Sequence, residues 1–252
     1  MPFTFSHPAI VLPLAYLSPR WVSLTGLIVG SITPDFEYFL RMRVNTQFSH
    51  SNPGVFWFDL PLGLLLCFVF HELVRNPLLT NLPHFLRARF APYISFDWWA
   101  HFRKYWFTVL ISLLVGIGSH LFWDRFTHEH AYFVDMFPVL NQPVVYHPYS
   151  FTWYRIIQHL STLLGVLTIG LVIYRLPRKP VIRSQVSLQF WAVIWCTSGL
   201  VFGLRMVLAP HAFLLGNLVV SIITSSMIGL IVGSIWWKYV RAACYHKSSN
   251  EW

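Results

Sequence analysis

Charged side chains are scarce in this 252-residue chain. They make up 11% of its residues, whereas a soluble globular domain carries about 25%. Hydrophobic residues account for 56% and aromatic residues for 18%, and the mean hydropathy is +0.55. This balance excludes a soluble globular enzyme and a disordered tail, and it is typical of a helical membrane protein.

Cysteine is equally scarce. The chain has three cysteines, Cys67, Cys196 and Cys244, and no C-x-x-C pair. This spacing excludes a secreted disulfide scaffold and gives no support to a cysteine-based metal site. Because all three lie in or beside apolar segments, we expect them to be packing residues.

Five segments are long and apolar enough to cross a bilayer, whose hydrocarbon core of about 30 Å requires roughly 20 helical residues. We place them at Pro53–Val74, Tyr105–Trp123, Phe151–Tyr174, Leu188–Leu208 and Ala212–Val240. The sequence therefore predicts an all-α fold, a polytopic membrane helix bundle with five full spans and an N-terminal helical hairpin. We expect a single membrane domain over residues 1–252, with the hairpin in 1–35, the site-bearing helices in 36–175 and two C-terminal spans in 176–252.

Lysine and arginine are unevenly distributed along the chain. Twelve of the 18 lie in loops 75–104 and 175–186 or in the tail from Lys238, and loop 126–150 has none. The positive-inside rule then predicts that the basic regions are cytoplasmic and that residues 33–52 and 126–150 lie outside. Topology accounts for the net charge of +9, and we expect no nucleic-acid partner.

The first 33 residues contain two apolar pieces, His7–Leu17 and Trp21–Thr33, each too short to span a bilayer alone. A single kinked span would put His7 in the cytoplasm. A helical hairpin would bring His7 to the side of Asp35 and would place Arg20 at its tip. We favour the hairpin because of the polar residues that it would bring together.

Ionisable residues inside apolar segments are costly and commonly functional. His120 and Asp124 are four residues apart and therefore share one face of a helix. They can bind a borderline metal such as zinc, or form a plain His–Asp hydrogen bond. Asp35 and Glu37 follow an apolar segment, where Asp35 either caps the next helix or binds a metal.

The predicted topology collects polar residues at one face of the membrane. Asp35, His50, His120 and Asp124 reach the outer end of their segments, and the hairpin adds His7. Asp59 and His159 lie at shallow depth in the neighbouring spans. The sequence therefore predicts one open metal site at the outer surface, made of His and Asp ligands, with zinc as the favoured ion.

Several fragments occur in the order found in a bacterial family of multi-spanning proteins. They are Phe5-Ser6-His7-Pro8, Gly30-Ser31-Ile32-Thr33-Pro34-Asp35, Ser49-His50-Ser51, Phe58-Asp59-Leu60-Pro61, Gly118-Ser119-His120 with Asp124 and Thr127, and Gln158-His159-Leu160-Ser161-Thr162. Through about residue 175 the chain resembles the YdjM-like metal-dependent hydrolases of the inner membrane. It is more distantly similar to zinc-dependent phospholipase C.

The resemblance implies metal-site roles for six residues: His7, Asp35, Glu37, His50, His120 and Asp124. Glu37 stands where the YdjM-like pattern has aspartate, and either carboxylate can bind a metal. The resemblance also implies a location in the bacterial inner membrane, and the predicted topology puts the site on the outer side.

The leading functional hypothesis is a membrane metallohydrolase, most plausibly a phosphoesterase acting on a lipid or an amphiphile among the membrane lipids. His159 or Asp59 would serve as general base or as an orienting group. A second hypothesis is a non-hydrolytic enzyme, an isomerase or cyclase of an isoprenoid-like lipid. A third is a non-enzymatic scaffold or transporter.

Overall fold

The computed structural model describes residues 3–180 and 186–249. Arg183 and the side chains of Arg241, Cys244 and Lys247 lie outside this description. The described chain forms two compact units. The first contains the chain up to Phe36 with Gln47–Cys67 and Ala100–Leu176, and the second contains Glu37–Thr46, Phe68–Trp99 and the chain from Pro177 onward.

Five helices within the described residues are long and apolar enough to cross a membrane. We label them α4 (Asn52–Thr80), α6 (Trp98–Asp124), α8 (Trp153–Arg175), α9 (Leu188–Leu208) and α10 (Leu215–Ser249, of which Leu215–Val240 is the candidate span). The all-α prediction with five spans is therefore confirmed. The predicted second span began at Tyr105, where α6 instead has a kink with φ −127° and ψ 26°.

Shorter elements connect these helices. The remaining helices are α1 (Pro8–Val11), α2 (Leu24–Ile32), α3 (Phe36–Arg41), α5 (His84–Phe90) and α7 (Tyr132–Met136). Short 3₁₀ segments lie at Thr4–Ser6, Leu12–Tyr16, Thr33–Asp35, Ala91–Tyr93, Pro138–Asn141 and Pro210–Phe213. Within α4, the stretches Val55–Asp59 and Val69–Val74 have π-helical hydrogen bonding.

The two strands pair as one antiparallel hairpin. Strands β1 (Pro143–Tyr146) and β2 (Tyr149–Thr152) lie in register with Val144 opposite Phe151. Strand β1 and the first half of β2 fall in the predicted loop 126–150, and the rest of β2 falls at the start of the predicted span Phe151–Tyr174. The sequence missed them because each strand is only four residues long and gives little periodic signal.

The N-terminal segment folds back on itself as the hairpin interpretation requires. Helix α1 contacts α2, and the Oγ1 of Thr108 donates to the carbonyl oxygen of Arg20 at 3.0 Å. Pro13 interrupts the first arm, so that it consists of a short α-helix followed by a 3₁₀ segment. The arms are thus shorter than the predicted ones, but both ends of the hairpin lie beside the candidate site.

The core of the first unit depends on close packing between α2 and α6. A Cβ added to Gly26 would lie 2.8 Å from the carbonyl oxygen of Val109. Gly30 and Gly116 likewise leave no room for a Cβ against the facing backbone. Small residues four apart allow two membrane helices to approach this closely. The fully buried face of α6, with Leu113 and Ile117, continues along the helix to His120 and Asp124.

The second unit contains its own close helix pair. Gly229 and Gly233 of α10 face Ser198 and Ile194 of α9. Helix α10 also holds the end of α3, because the Oγ1 of Thr224 donates to the carbonyl oxygen of Phe39 at 3.0 Å. This unit therefore packs around the two C-terminal spans that the sequence predicted.

Candidate metal centre

His7 is placed by the first turns of the chain. It follows the 3₁₀ segment Thr4–Ser6 and precedes Pro8, the first residue of α1. Gly165 allows α8 to approach the segment Thr4–Ser6 closely, since a Cβ at Gly165 would lie 2.8 Å from the Cβ of Ser6. Phe3 also donates its amide to the Oγ1 of Thr162 at 3.0 Å. Helix α8 thus fixes the segment that carries His7, which is buried.

Asp35 lies at the end of the second hairpin arm. Pro34 starts a 3₁₀ segment after α2, and Asp35 is fully buried at its end. The Oγ1 of Thr4 donates to Oδ2 of Asp35 at 2.6 Å. This hydrogen bond orients the carboxylate so that Oδ1 faces the neighbouring histidines.

His120 and Asp124 occupy the last two turns of α6 on one face, as their spacing predicts. The Nδ1 of His120 lies 2.8 Å from the carbonyl oxygen of Ser31. A carbonyl can only accept, so Nδ1 carries a hydrogen, and in the neutral imidazole Nε2 then carries the lone pair. Nε2 lies 3.3 Å from Asp124 Oδ2 and 3.5 Å from Asp35 Oδ1.

His50 comes from the turn that precedes α4. Its Nδ1 is 3.0 Å from the hydroxyl of the buried Ser49. Its Nε2 lies 3.5 Å from Asp124 Oδ2 and 3.9 Å from Asp35 Oδ1. The side chain of His50 is 24% exposed, whereas those of Asp35 and His120 are fully buried. The His50 side therefore forms the accessible edge of the cluster.

The four residues Asp35, His50, His120 and Asp124 form a group that could hold a metal ion. Each offers one ligand atom, and these atoms all lie within 4.8 Å of one another. Atoms that bind one zinc ion at about 2.0–2.2 Å lie roughly 3–4 Å apart. The four come from three separate parts of the sequence, which the fold brings together.

Several buried polar atoms of this region have no hydrogen-bond partner within residues 3–180 and 186–249. They are Nε2 of His7, Oδ1 of Asp35, Nε2 of His120 and both carboxylate oxygens of Asp124. Buried polar atoms are usually paired. A lone pair on imidazole that faces a carboxylate is repulsive unless a cation or a proton lies between them. The donor set therefore fits a metal ion.

His7 and His128 flank Asp124 outside the group of four. Nε2 of His7 is 3.6 Å from Asp124 Oδ1, and its ring stacks on that of His120 with centroids 3.9 Å apart. Burial lowers the pKa of His7 to about 4, and His120 lowers it too, against the opposing effects of Asp124 and Asp35. His7 is therefore neutral near pH 7 and can act as an acceptor or ligand.

His128 holds the end of α6. Its Nδ1 lies 3.0 Å from the carbonyl oxygen of Asp124, so this nitrogen donates. Burial lowers the pKa of His128 as well, and Asp124 opposes this effect. The side chain of His128 is 30% exposed. It therefore lies at the boundary between the cluster and the surface.

Glu37, the sixth predicted ligand, belongs to the second unit and is not one of the four clustered residues. Its Oε1 accepts hydrogen bonds from Nε and Nη2 of Arg41, each at 2.8 Å. Two residues along a helix correspond to about 200° of rotation, so the side chains of Asp35 and Glu37 leave the backbone in different directions. A ligand role for Glu37 remains a prediction.

The two predicted catalytic residues occupy different environments. Asp59 is fully buried in the π-helical stretch Val55–Asp59 of α4, which contacts the segment Thr33–Asp35. His159 is exposed and lines an apolar surface hollow with Phe151, Ile156, Leu160 and Leu163. Its neighbour Gln158 instead faces the cluster side, donating Nε2 to the carbonyl oxygen of Thr127 at 3.0 Å.

Two contributors to the site were missed by the sequence reasoning. Thr4 orients Asp35, and the carbonyl of Ser31 orients His120. A hydroxyl three residues before His7 gives no distinctive signal, and a backbone carbonyl gives none at all. His128 was visible in the sequence, because it follows Asp124 by the same four residues that separate Asp124 from His120.

Comparisons with known proteins give one match. A family model described as a domain of unknown function, DUF4184, matches residues 1–235. No curated protein matches the chain. No solved structure matches it either. Because the matched region covers most of the chain and includes every residue of the cluster, the chain belongs to the DUF4184 family.

Proposed function

We propose that this protein is a membrane-embedded metal-dependent hydrolase, a phosphoesterase acting on a lipid or another amphiphile. The observation that carries the proposal is the buried cluster of Asp35, His50, His120 and Asp124, whose ligand atoms lie within 4.8 Å of one another. Two imidazoles and two carboxylates are typical ligands of zinc, which we propose as the ion.

A network of charged histidines is a weaker explanation of this geometry. It would place imidazolium groups beside one another, and the rings of His7 and His120 are stacked with centroids only 3.9 Å apart. A single divalent cation would instead neutralise both carboxylates and accept the imidazole lone pairs together. The hydrogen bond from His120 Nδ1 to Ser31 leaves Nε2 free for this role.

The chemistry suggested is hydrolysis of a phosphoester. A zinc ion bound here would lower the pKa of a bound water and polarise a phosphoryl oxygen. The protein's own residues would supply the rest: Asp124 and Asp35 hold the ion, and the exposed edge at His50 admits the substrate. Asp59, buried beside the Thr33–Asp35 segment, is our preferred candidate for the general base, and His159 is the alternative.

A membrane-bound substrate follows from the position of the cluster. His120 and Asp124 end the candidate span α6, and His50 immediately precedes the candidate span α4. These positions at the ends of candidate spans support a site at the membrane surface. We propose that this is the outer surface of a bacterial inner membrane, which agrees with the resemblance to the YdjM-like hydrolases and with the distribution of Lys and Arg.

Activity assays on the purified protein test this proposal. The protein in nanodiscs would be supplied with zinc and with phospholipids or soluble phosphodiesters, and inorganic phosphate and phosphomonoesters would be measured. Hydrolysis that disappears with a chelator and returns with zinc supports the proposal. Metal binding without ester cleavage, across both substrate classes, would contradict it and would favour a non-hydrolytic lipid-modifying enzyme.

A further inference from the structure

The segment between α6 and α8 is an ordered lobe, which we call the 126–152 lobe. Phe133 donates its amide to the carbonyl oxygen of Arg125 at 3.2 Å, and its ring stacks on Phe126 with centroids 4.2 Å apart. Val134 is fully buried, and Asn141 donates Nδ2 to its carbonyl oxygen at 3.1 Å. The lobe therefore has a defined conformation, and its surface side chains have defined positions.

Large hydrophobic side chains project from this lobe. On the β-hairpin, Val145, Tyr146 and Tyr149 are 71%, 79% and 62% exposed. The lobe also exposes Tyr132, Met136, Phe137, Val139 and Phe151. Scattered apolar residues are ordinary on a surface, but a concentration of this kind on one small lobe marks an interaction site.

The chain connectivity places these side chains beside the membrane. The lobe begins two residues after the end of α6, and β2 ends at Thr152, immediately before α8 starts at Trp153. Each strand has four residues, so the hairpin tip lies within about 13 Å of the end of a candidate span. The headgroup layer begins where a span leaves the hydrocarbon core and is roughly 5–7 Å thick on each side of the bilayer, so the hairpin is within reach of it.

The composition of the lobe favours lipid over a soluble partner. Residues 126–152 contain no Lys or Arg, so the lobe does not carry the cations that hold a chain on anionic surfaces. Its exposed large hydrophobic residues are tyrosine, phenylalanine, methionine and valine. Tyrosine and tryptophan are enriched where a protein meets the membrane interface, because their rings are apolar and their polar groups remain hydrated.

We propose that the 126–152 lobe lies in the interfacial layer of the bilayer, with its β-hairpin among phospholipid headgroups. The lobe also contacts the metal centre, since His128 donates Nδ1 to the carbonyl oxygen of Asp124 at 3.0 Å. A headgroup held by the hairpin would lie beside the exposed edge of the cluster. The placement of a headgroup beside the cluster rests on the proposed function, whereas the position of the lobe in the bilayer does not.

Spin labelling measures the depth of the hairpin directly. In a variant with Cys67, Cys196 and Cys244 changed to alanine, a nitroxide would be attached at Tyr146→Cys. The full chain would be placed in nanodiscs of phosphatidylethanolamine and phosphatidylglycerol. We expect the ratio of oxygen to Ni(II)EDDA collisions at position 146 to be severalfold higher than the ratio at a control label. The control label is attached at Glu129→Cys, an exposed position in the same lobe.

Two outcomes would overturn the proposal. Equal access of Ni(II)EDDA to positions 146 and 129 would place the hairpin in water. An immobilised label at position 146 that neither reagent reaches would indicate a protein partner. A second label at Val145→Cys repeats the measurement if the first variant folds poorly. Neither readout depends on catalysis, so a failure of the hydrolase proposal would be recognised separately.

Discussion

His120 donates the hydrogen of Nδ1 to the main-chain carbonyl of Ser31 across 2.8 Å, and this bond joins α6 to α2 at the metal centre. It fixes the tautomer of His120 and aims Nε2 at two carboxylates. The bond can form only because the two helices lie unusually close. The glycines that permit this approach are therefore part of the site's construction, although they contain no ligand atom.

Replacing Gly116 by alanine tests this dependence. The added Cβ would meet the carbonyl oxygen of Leu27 and would lie 2.7 Å from the amide nitrogen of Ser31. We expect α2 and α6 to separate, with a loss of about 1–3 kcal/mol in the free energy of unfolding. Zinc affinity should fall about tenfold or more, because the orienting bond to His120 weakens. Thermal unfolding and metal titration in detergent would measure both effects.

Gly118 provides the matched control for this prediction. It lies two residues further along α6, and a Cβ there would meet nothing within 4 Å. Gly118→Ala should therefore leave zinc affinity unchanged and should not destabilise the fold, since alanine is the better helix former. Equal effects of the two substitutions would contradict the role assigned to the α2–α6 contact.

Thr4 is expected to position Asp35. Its Oγ1 donates to Oδ2 of that carboxylate at 2.6 Å in a buried setting. Thr4→Val keeps the shape of the side chain but removes the donor, so zinc affinity should fall about 10–100-fold. Thr4→Ser retains the hydroxyl and should restore most of the affinity. Loss in both variants would indicate that packing, rather than the hydrogen bond, maintains the site.

The sequence predicted the ligands whose placement follows from local geometry and topology. His120 and Asp124 share a helix face because they are four residues apart. Asp35 and His50 were expected beside them because the predicted topology puts all four residues at the same ends of their segments. The hairpin then adds His7, whose Nε2 lies 3.6 Å from Asp124 Oδ1.

The remaining features depend on helix rotation and close packing, which the sequence pattern does not resolve. His159 follows Gln158 by about 100° around α8, and only Gln158 turns toward the loop beside the cluster. The Ser31 carbonyl acquires its role only through the fit of Gly30 and Gly116 against the opposite helix. A family motif can identify such residues as important, but it cannot predict which way their side chains point from the helix.

Membrane topology gives a further prediction. Position 139, in the 126–152 lobe, should be labelled from outside the cell, and position 85 in α5 should be labelled only after permeabilisation. Both native residues, Val139 and Phe85, are more than half exposed. Cysteine substitutions at the two sites in a cysteine-free variant would be treated with an impermeant maleimide. The reverse pattern would place the metal centre on the cytoplasmic side.

The general base can be identified by comparing Asp59→Asn with His159→Gln. Loss of a general base lowers turnover by about 10²–10⁴-fold, while metal content should be retained because neither residue is among the four clustered ligands. We expect the large loss for Asp59→Asn, since Asp59 is buried and its segment contacts Thr33–Asp35. A larger loss for His159→Gln would reverse this assignment.

Asp124→Asn is the most direct test of the metal centre. Both oxygens of Asp124 lie in the cluster, with Oδ2 3.3 Å from His120 Nε2 and Oδ1 3.6 Å from His7 Nε2. The amide is nearly the same size but carries no charge, so purified Asp124→Asn should contain almost no zinc and should be inactive. Its spans should still insert, because insertion depends on the apolar segments. Asp135→Asn, at an exposed position of α7, should keep both zinc and activity. Elemental analysis of the two variants beside the native protein measures the difference, and full zinc occupancy in Asp124→Asn would exclude the cluster as the metal site.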